Sequence, residues 1–277
     1  MTVGEAIRAA ADLLAATSDT ARLDAELLMA HALGMSRSDM LLKAMRDPAP
    51  EGFAALVERR AGHEPVAYIT GTAEFYGLPL TVTPATLIPR GDSETLIEAA
   101  LEHADKQGGA PGRALDLGTG SGALLLALLA ERTGWRGVGI DASADALVVA
   151  QANAAALALA ARSAWHLRDW GKAGWADDLG TFDVILCNPP YVEAGVALDR
   201  QVHDHEPHSA LFAGPEGLDD YRVLIPQLRA LMNPHAAVIL EIGAKQTEAV
   251  SALAADAGFA VTLRYDLGGR PRALLLG

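Results

Sequence analysis

The chain has 277 residues, which at about 150 residues per domain allows two domains, or one large core with an appendage. Apolar residues make up 51% and charged residues 21%, so a sizeable core is available without disulfides, and global disorder is excluded. Lys and Arg total 22 against 35 acids, a net charge of −13, which argues against non-specific binding of duplex nucleic acid.

The first eighty or so residues read as helical. Ile7, Ala10, Leu13 and Leu14 recur at helical spacing, as do Leu23, Leu27, Leu28 and Ala30. Glu5 interrupts the first apolar stretch and no Arg/Lys cluster precedes it, so this segment does not read as a signal peptide. Thr20 is placed to cap the second helix and Gly34 to end it; Pro50 stands near the start of a third, through Phe53, Leu56 and Val57. From Gly62 to Pro89 the texture changes. Tyr68, Ile69, Phe75, Tyr76, Leu80 and Val82 are interspersed with Gly71, Gly77 and Pro79, a pattern that suits a β-hairpin.

After a helix over 93–104, strands and helices alternate. Ala114-Leu115 leads to a helix over 123–132, whose apolar run 123–130 is far too short to span a membrane. Val138-Gly139-Ile140 leads to a helix over 143–160. Further strands are expected over 182–186, 237–242 and 260–265, the last closing the chain, with helices over 218–231, bent at Pro226, and 246–255. This alternation implies an α/β domain with a mostly parallel sheet covered on both faces. Cys187 is the only cysteine, so no internal disulfide forms, and a reducing, cytoplasmic setting is expected.

The sharpest local signal is Asp116-Leu117-Gly118-Thr119-Gly120-Ser121-Gly122: an acid at a strand end, three alternate glycines, then an apolar helix. Glycines let a backbone turn tightly and approach a ligand. The acid would repel a pyrophosphate and attract a cationic ligand. Asp141, at the end of the next strand, has the position of a carboxylate that accepts both hydrogens of a ribose diol. Asp169, after the apolar Trp165 and Leu167, is placed near the end of a third strand ahead of 182–186 and would face an adenine amino group, with Trp170 supplying apolar surface. A nucleoside bearing a cationic amino-acid tail satisfies this set, and S-adenosylmethionine is such a ligand.

Asn188-Pro189-Pro190-Tyr191 directly follows the strand at 182–186. An amide nitrogen is a poor nucleophile because its lone pair is delocalised. The Asn188 side-chain oxygen would accept one N–H and the Pro189 carbonyl the other, holding the nitrogen as a methyl group arrives. Tyr191 would cover the flat group and exclude water. His203, Asp204, His205, Glu206 and His208 contain metal-ligand types, but without fixed spacing or a partner cysteine they read as a solvated loop, and no metal is expected. Cys187 reads as packing, and Arg90 as a junction ion pair with Glu94 or a substrate contact.

These motifs resemble the bacterial-type methyltransferases that modify a glutamine of peptide-chain release factors. The resemblance covers almost the whole chain. It includes Glu74-Phe75-Tyr76-Gly77, Leu87-Ile88-Pro89-Arg90, Asp92-Ser93-Glu94, the loop from Asp116 to Gly122 and the Asn-Pro-Pro-Tyr quartet. It continues through Glu206-Pro207, Gly217-Leu218, Glu241-Ile242-Gly243, Gln246 and Gly269-Arg270. It implies a Rossmann-like class I S-adenosylmethionine-dependent methyltransferase sheet (residues 90–277), a small N-terminal helical bundle that binds substrate (1–70) and a β-hairpin linker (71–89). It also implies N5-methylation of the glutamine in a Gly-Gly-Gln loop, with Asn188 and Pro189 holding the amide, Gly118 and Gly120 around the methionine portion, Asp141 at the ribose and Asp169 at the adenine. A sister family acts on a glutamine of a large-subunit ribosomal protein and ranks second; adenine-N6 methylation of nucleic acid is a weaker alternative, since no basic recognition domain is present. Gly91 stands where the family usually has proline, which loosens that segment.

Overall fold

The computed structural model describes residues 1–277. They form two compact units: Met1–Thr72 with Leu198–Glu206, and Ala73–Ala197 with Pro207–Gly277. Most of the segment expected as a linker is therefore built into the second unit.

The first unit contains α1 (Val3–Leu14), α2 (Ala21–Leu33), α3 (Arg37–Asp39), α4 (Phe53–Ala61) and α5 (Val66–Thr70). α1 opens with a reciprocal cap: the Glu5 N–H donates to the Thr2 hydroxyl, and the Thr2 N–H donates to the Glu5 carboxylate. Its buried stripe runs through Val3, Ile7, Ala10 and Leu14 onto Ala25, Leu28 and Met29 of α2. Leu13 and Leu23 fall off that stripe and are exposed. Thr20 occupies the cap position of α2, but its hydroxyl donates to Asp24 and accepts no helix N–H, while Gly34 ends the helix in a left-handed conformation. Asp24 is buried and satisfied by Arg60, whose Nε donates over 2.6 Å, and by the Ser18 and Thr20 hydroxyls. Tyr68 and Ile69, expected in the hairpin, belong to the single helical turn of α5, which starts after Pro65.

The second unit begins with the hairpin of β1 (Thr72–Phe75) and β2 (Leu78–Thr81), turned at Tyr76-Gly77. It continues with α6 (Glu94–Lys106), β3 (Arg113–Leu117), α7 (Ala123–Glu131), β4 (Arg136–Asp141), α8 (Ala144–Ala156), β5 (Ser163–Leu167) and β6 (Phe182–Cys187). Next come α9 (Arg200–His203), which belongs to the first unit, then α10 (Asp219–Leu228), β7 (Met232–Glu241), α11 (Thr247–Asp256), β8 (Val261–Tyr265) and β9 (Pro271–Leu276). The seven-stranded sheet has the order β5-β4-β3-β6-β7-β9-β8. The five strands from β5 to β7 are parallel, and β9 is antiparallel to both its neighbours.

The sequence reading ended at 260–265 and missed β9. Its run, Pro271 to Leu276, returns through a short turn with no helix to announce it. Pro226 sits inside α10, and the helix tightens into a 3₁₀ turn at Arg229–Leu231.

Strand alternation divides the core between the two faces of the sheet. Ala114, Val184, Leu186, Ala237 and Ile239 join α6, α7 and the hairpin on one face. Leu115, Leu117, Ile185, Cys187, Val238 and Leu240 join α10 and α11 on the other. α7 is buried from Ala123 to Leu129, as a helix apolar on every side must be.

Candidate active site

β3 pairs with β4 and β6 in register, Leu117 lying opposite both Ile140 and Cys187. The residues that follow, Gly118, Asp141 and Asn188, are therefore brought to one edge of the sheet. Strand order changes direction at β3, the kind of switch point at which α/β sheets hold ligands. A cavity of about 520 Å³ lies there, within the second unit. Of the residues singled out from sequence, Gly118, Thr119, Gly120, Asp141, Asp169, Trp170, Asn188 and Pro190 line it, whereas Asp116, Gly122, Pro189 and Tyr191 do not.

Asp116 is buried behind the wall. The Thr119 hydroxyl donates to its Oδ2, and its Oδ1 is buried with no hydrogen-bond partner. Burial pushes its carboxyl up to about 7, the charge of Asp141 adds to the rise and the Thr119 bond opposes it. Gly120 has φ +54, and nothing lies within 4 Å of the position a Cβ would take, so the backbone is bare toward the cavity. Its N–H donates to Asp141 Oδ2 over 2.8 Å, and the Ser143 N–H donates to Oδ1 over 2.8 Å. Asp141 thus ties β4 to the glycine loop, while Ser143 caps α8. Burial raises the Asp141 carboxyl above its ordinary range. Gly122 has a packing role: Trp165, Leu126 and Ala150 close in on the place of its absent side chain.

Trp170 abuts Gly118, and its Nε1 donates to Asp220 Oδ1 over 2.9 Å. Asp169 accepts from the Gly171 N–H, with Lys172 Nζ 3.5 Å from its Oδ2. Asp220, which the sequence reading did not select, also lines the cavity and is raised by burial. Together with Asp145, the wall carries four carboxylates and one guanidinium, that of Arg90. An acid-rich wall, a bare glycine backbone and an orphaned carboxylate oxygen fit a cationic donor with an adenosine body, S-adenosylmethionine, and disfavour a phosphate-rich ligand.

At the reacting end, the Asn188 Nδ2 donates to Ser93 Oγ over 3.5 Å, and the Ser93 hydroxyl donates to Glu241 Oε2 over 2.5 Å. The Tyr191 hydroxyl donates to Glu241 Oε1 over 3.3 Å. Tyr191, expected as a cover over the substrate, is instead turned into this network because a buried carboxylate there needs donors. Burial pushes Glu241 up to about 7, against the pull of Ser93 and Arg272. Burial and the Glu241 charge push Tyr191 up to about 12. The backbone of the quartet is fastened as well. Gln246 Nε2 donates to the carbonyls of Tyr191 and Gly217, and the N–H groups of Tyr191 and Val192 both donate to Leu211 O. Ser93, Glu241 and Gln246 carry no local signature of function; their presence in the family resemblance was the only signal.

Cys187 is buried in the sheet, where burial raises its thiol well above the ordinary value. No group of three or more His, Cys, Asp or Glu side chains is placed to hold a metal, and His203 instead meets Asp204 at 2.8 Å on the surface. No helix is long and apolar enough to cross a membrane.

Residues 5–71 match the model of the PrmC N-terminal domain, and residues 110–247 match that of a methyltransferase domain. A release factor glutamine methyltransferase of Bradyrhizobium diazoefficiens is 41% identical over 96% of this chain and 91% of its own length. One of Cereibacter sphaeroides is 41% identical over 98% and 97%. Among solved structures, the hMettl16 catalytic domain superposes with a TM-score of 0.56 at 16% identity, over 80% of this chain and 81% of that one, a likeness of fold.

Proposed function

The chain belongs to the release factor glutamine methyltransferase family, and from that membership and the site geometry we propose that it transfers a methyl group from S-adenosylmethionine to the side-chain nitrogen of the glutamine in the Gly-Gly-Gln loop of a peptide-chain release factor, in the cytoplasm. The observation that carries the reading is the single cavity whose wall runs from the bare backbone of Gly120 and the carboxylate of Asp141 to Asn188.

S-adenosylmethionine supplies an electrophilic methyl group on a sulfonium whose leaving group is a neutral thioether, so no side chain has to protonate what departs. The chain's own residues bind and orient. Asp141, already held by the Gly120 and Ser143 N–H groups, retains lone pairs for the ribose diol. Asp169 serves the adenine side, and Trp170, fixed by Asp220, gives it an apolar wall. Asp116 acts from behind through Thr119, as negative charge beneath the glycine loop. With its nitrogen end engaged by Ser93, Asn188 has its oxygen for one N–H of the substrate amide. The family resemblance assigns the other N–H to the carbonyl of Pro189, a residue that stands outside the cavity wall between Asn188 and Pro190, the two that line it. Two acceptors on one nitrogen hold it in line and stabilise the positive charge that grows on it; once the N–CH₃ bond has formed and the S–CH₃ bond has broken, the nitrogen gives up one proton to water. The N-terminal helical unit supplies the grip on the release factor, away from the reacting loop.

The test is to incubate the enzyme with a release factor and isotopically labelled donor and to map the label by peptide mass spectrometry. Label on the Gly-Gly-Gln glutamine is the expected result. Label found only on a ribosomal protein or on RNA offered in parallel would overturn the substrate assignment in favour of that acceptor.

A further inference from the structure

Resting on that reading, we infer that Ser93 and Glu241 are a positioning pair that fixes which end of the Asn188 amide faces the substrate. The register of the sheet sets this up. Leu240 lies opposite Cys187, so Glu241 and Asn188 are the next residues on adjacent strands, and Ser93 reaches both from the short turn before α6.

The polarity of the chain of hydrogen bonds follows from the inventory of donors. Glu241, pushed up to about 7, is ionised at the pH 8 at which turnover is measured, and an ionised carboxylate can only accept. It accepts from Ser93 at Oε2 and from Tyr191 at Oε1, so both oxygens are committed. Ser93 has a single hydroxyl proton and gives it to Glu241, which leaves its oxygen able only to accept toward Asn188. The partner it selects is therefore the Asn188 NH₂ group, and the carbonyl oxygen of that amide remains for the cavity. Without Glu241, the Ser93 hydroxyl is free to donate to Asn188 Oδ1. The amide would then turn, presenting two N–H donors to a substrate amide that itself needs acceptors.

Glu241 is kept in place by its neighbours. Arg272 Nη1 stands 4.0 Å from Oε1, and Arg272 also reaches Asp92, the residue before Ser93, over 2.9 Å. Arg270 grips the same Asp92 carboxylate, so the turn carrying Ser93 is bolted to the β8–β9 hairpin from two sides. Ser93 and Glu241 are 4% and 2% exposed, which keeps competing water from the link.

The experiment compares Ser93→Ala, Ser93→Thr and Glu241→Gln with the wild-type enzyme acting on intact release factor, with donor affinity measured separately by calorimetry. Wild-type turnover validates the assay and tests the parent reading by itself. Losing one oriented hydrogen bond should lower kcat about ten-fold in Ser93→Ala and Glu241→Gln, with the donor Kd within two-fold of wild type. Ser93→Thr, which keeps the hydroxyl, should retain kcat within about three-fold. A merely structural role would not separate kcat from donor affinity in this way. The inference is overturned if Ser93→Ala or Glu241→Gln leaves kcat unchanged, if donor affinity falls as far as kcat, or if Ser93→Thr is as slow as Ser93→Ala.

Discussion

Replacing Asp116 with Asn should stabilise the donor-free protein at pH 8 while weakening its hold on the methyl donor. The carboxyl is buried with one oxygen unpartnered, and its pKa rises from 3.8 to about 7. That is about three units at about 1.4 kcal/mol each, so keeping Asp116 ionised in the fold costs on the order of 4 kcal/mol. The sign follows from proton binding: between about pH 4 and 7 the folded chain holds a proton that the unfolded chain has released. This contribution to stability is therefore intact below about pH 4 and lost as the pH rises to about 7. Asn has no charge to ionise and still offers an oxygen to the Thr119 hydroxyl. Its NH₂ group takes the place of the unpartnered oxygen, as the acid's own O–H does when protonated, so Asn matches the protonated acid and the net gain at pH 8 is on the order of 4 kcal/mol. At pH 5 only the unfolded chain has released the proton, about one unit above its value of 3.8, so the advantage of Asn falls to about 1–2 kcal/mol. The four tryptophans, 135, 165, 170 and 175, all lie in the second unit, so urea unfolding followed by their fluorescence reads that unit. Wild-type and variant stabilities that run parallel from pH 5 to pH 8 would refute the reasoning.

Other expectations follow from the same geometry. Asn188→Ala should lower kcat by about 10²–10³, the scale for losing one preorganised group at a developing charge, with the donor Kd measured by calorimetry within two-fold of wild type. Gly217→Ala should destabilise the second unit by about 2–5 kcal/mol in urea melts, because Gly217 has φ +67 and a Cβ there would strike the Tyr191 carbonyl and lie 2.8 Å from Gln246 Nε2. Gly91→Ala should instead raise the melting free energy by about 0.4–1 kcal/mol, since this residue has no positive φ and nothing lies within 4 Å of the added methyl.

What the sequence revealed and what it hid divide along the range of the interactions. Gly120, Asp141 and Asn188 were legible because each sits at the end of a parallel strand, and the strand pattern alone implies that such ends share one edge. The helix of residues 123–131 was legible from its unbroken apolar run. Tyr191 reads from its neighbours as a cover over the flat substrate group, and nothing local announces its hydroxyl partner, Glu241, 50 residues away. Ser93 likewise finds Glu241 across 148 residues. β9 was missed because sheet insertion is decided by the edge of β7, with no trace in local periodicity. Asp220 was hidden inside an ordinary amphipathic helix start, and only the fold turns its carboxyl onto the indole N–H of Trp170.

The raised carboxyls also bear on how the enzyme distinguishes what it binds from what it releases. Asp116, Asp141 and Asp220 are all shifted upward first by burial, so the donor-free site holds negative charge that its surroundings do not satisfy. The methyl donor carries a sulfonium charge that its demethylated product lacks, while the adenosine and amino-acid parts are common to both. Contacts to those common parts cannot discriminate, because equal affinity for two states shifts nothing. The difference must come from groups that feel the lost charge, and Asp116, beneath the loop that borders the cavity, is the buried one with an oxygen to spare. Asp116→Asn should therefore lower affinity for S-adenosylmethionine more than for S-adenosylhomocysteine, with calorimetry at pH 8 showing their ratio shrink by several-fold. Equal losses for the two ligands would mean that Asp116 shapes the loop and does not sense the charge.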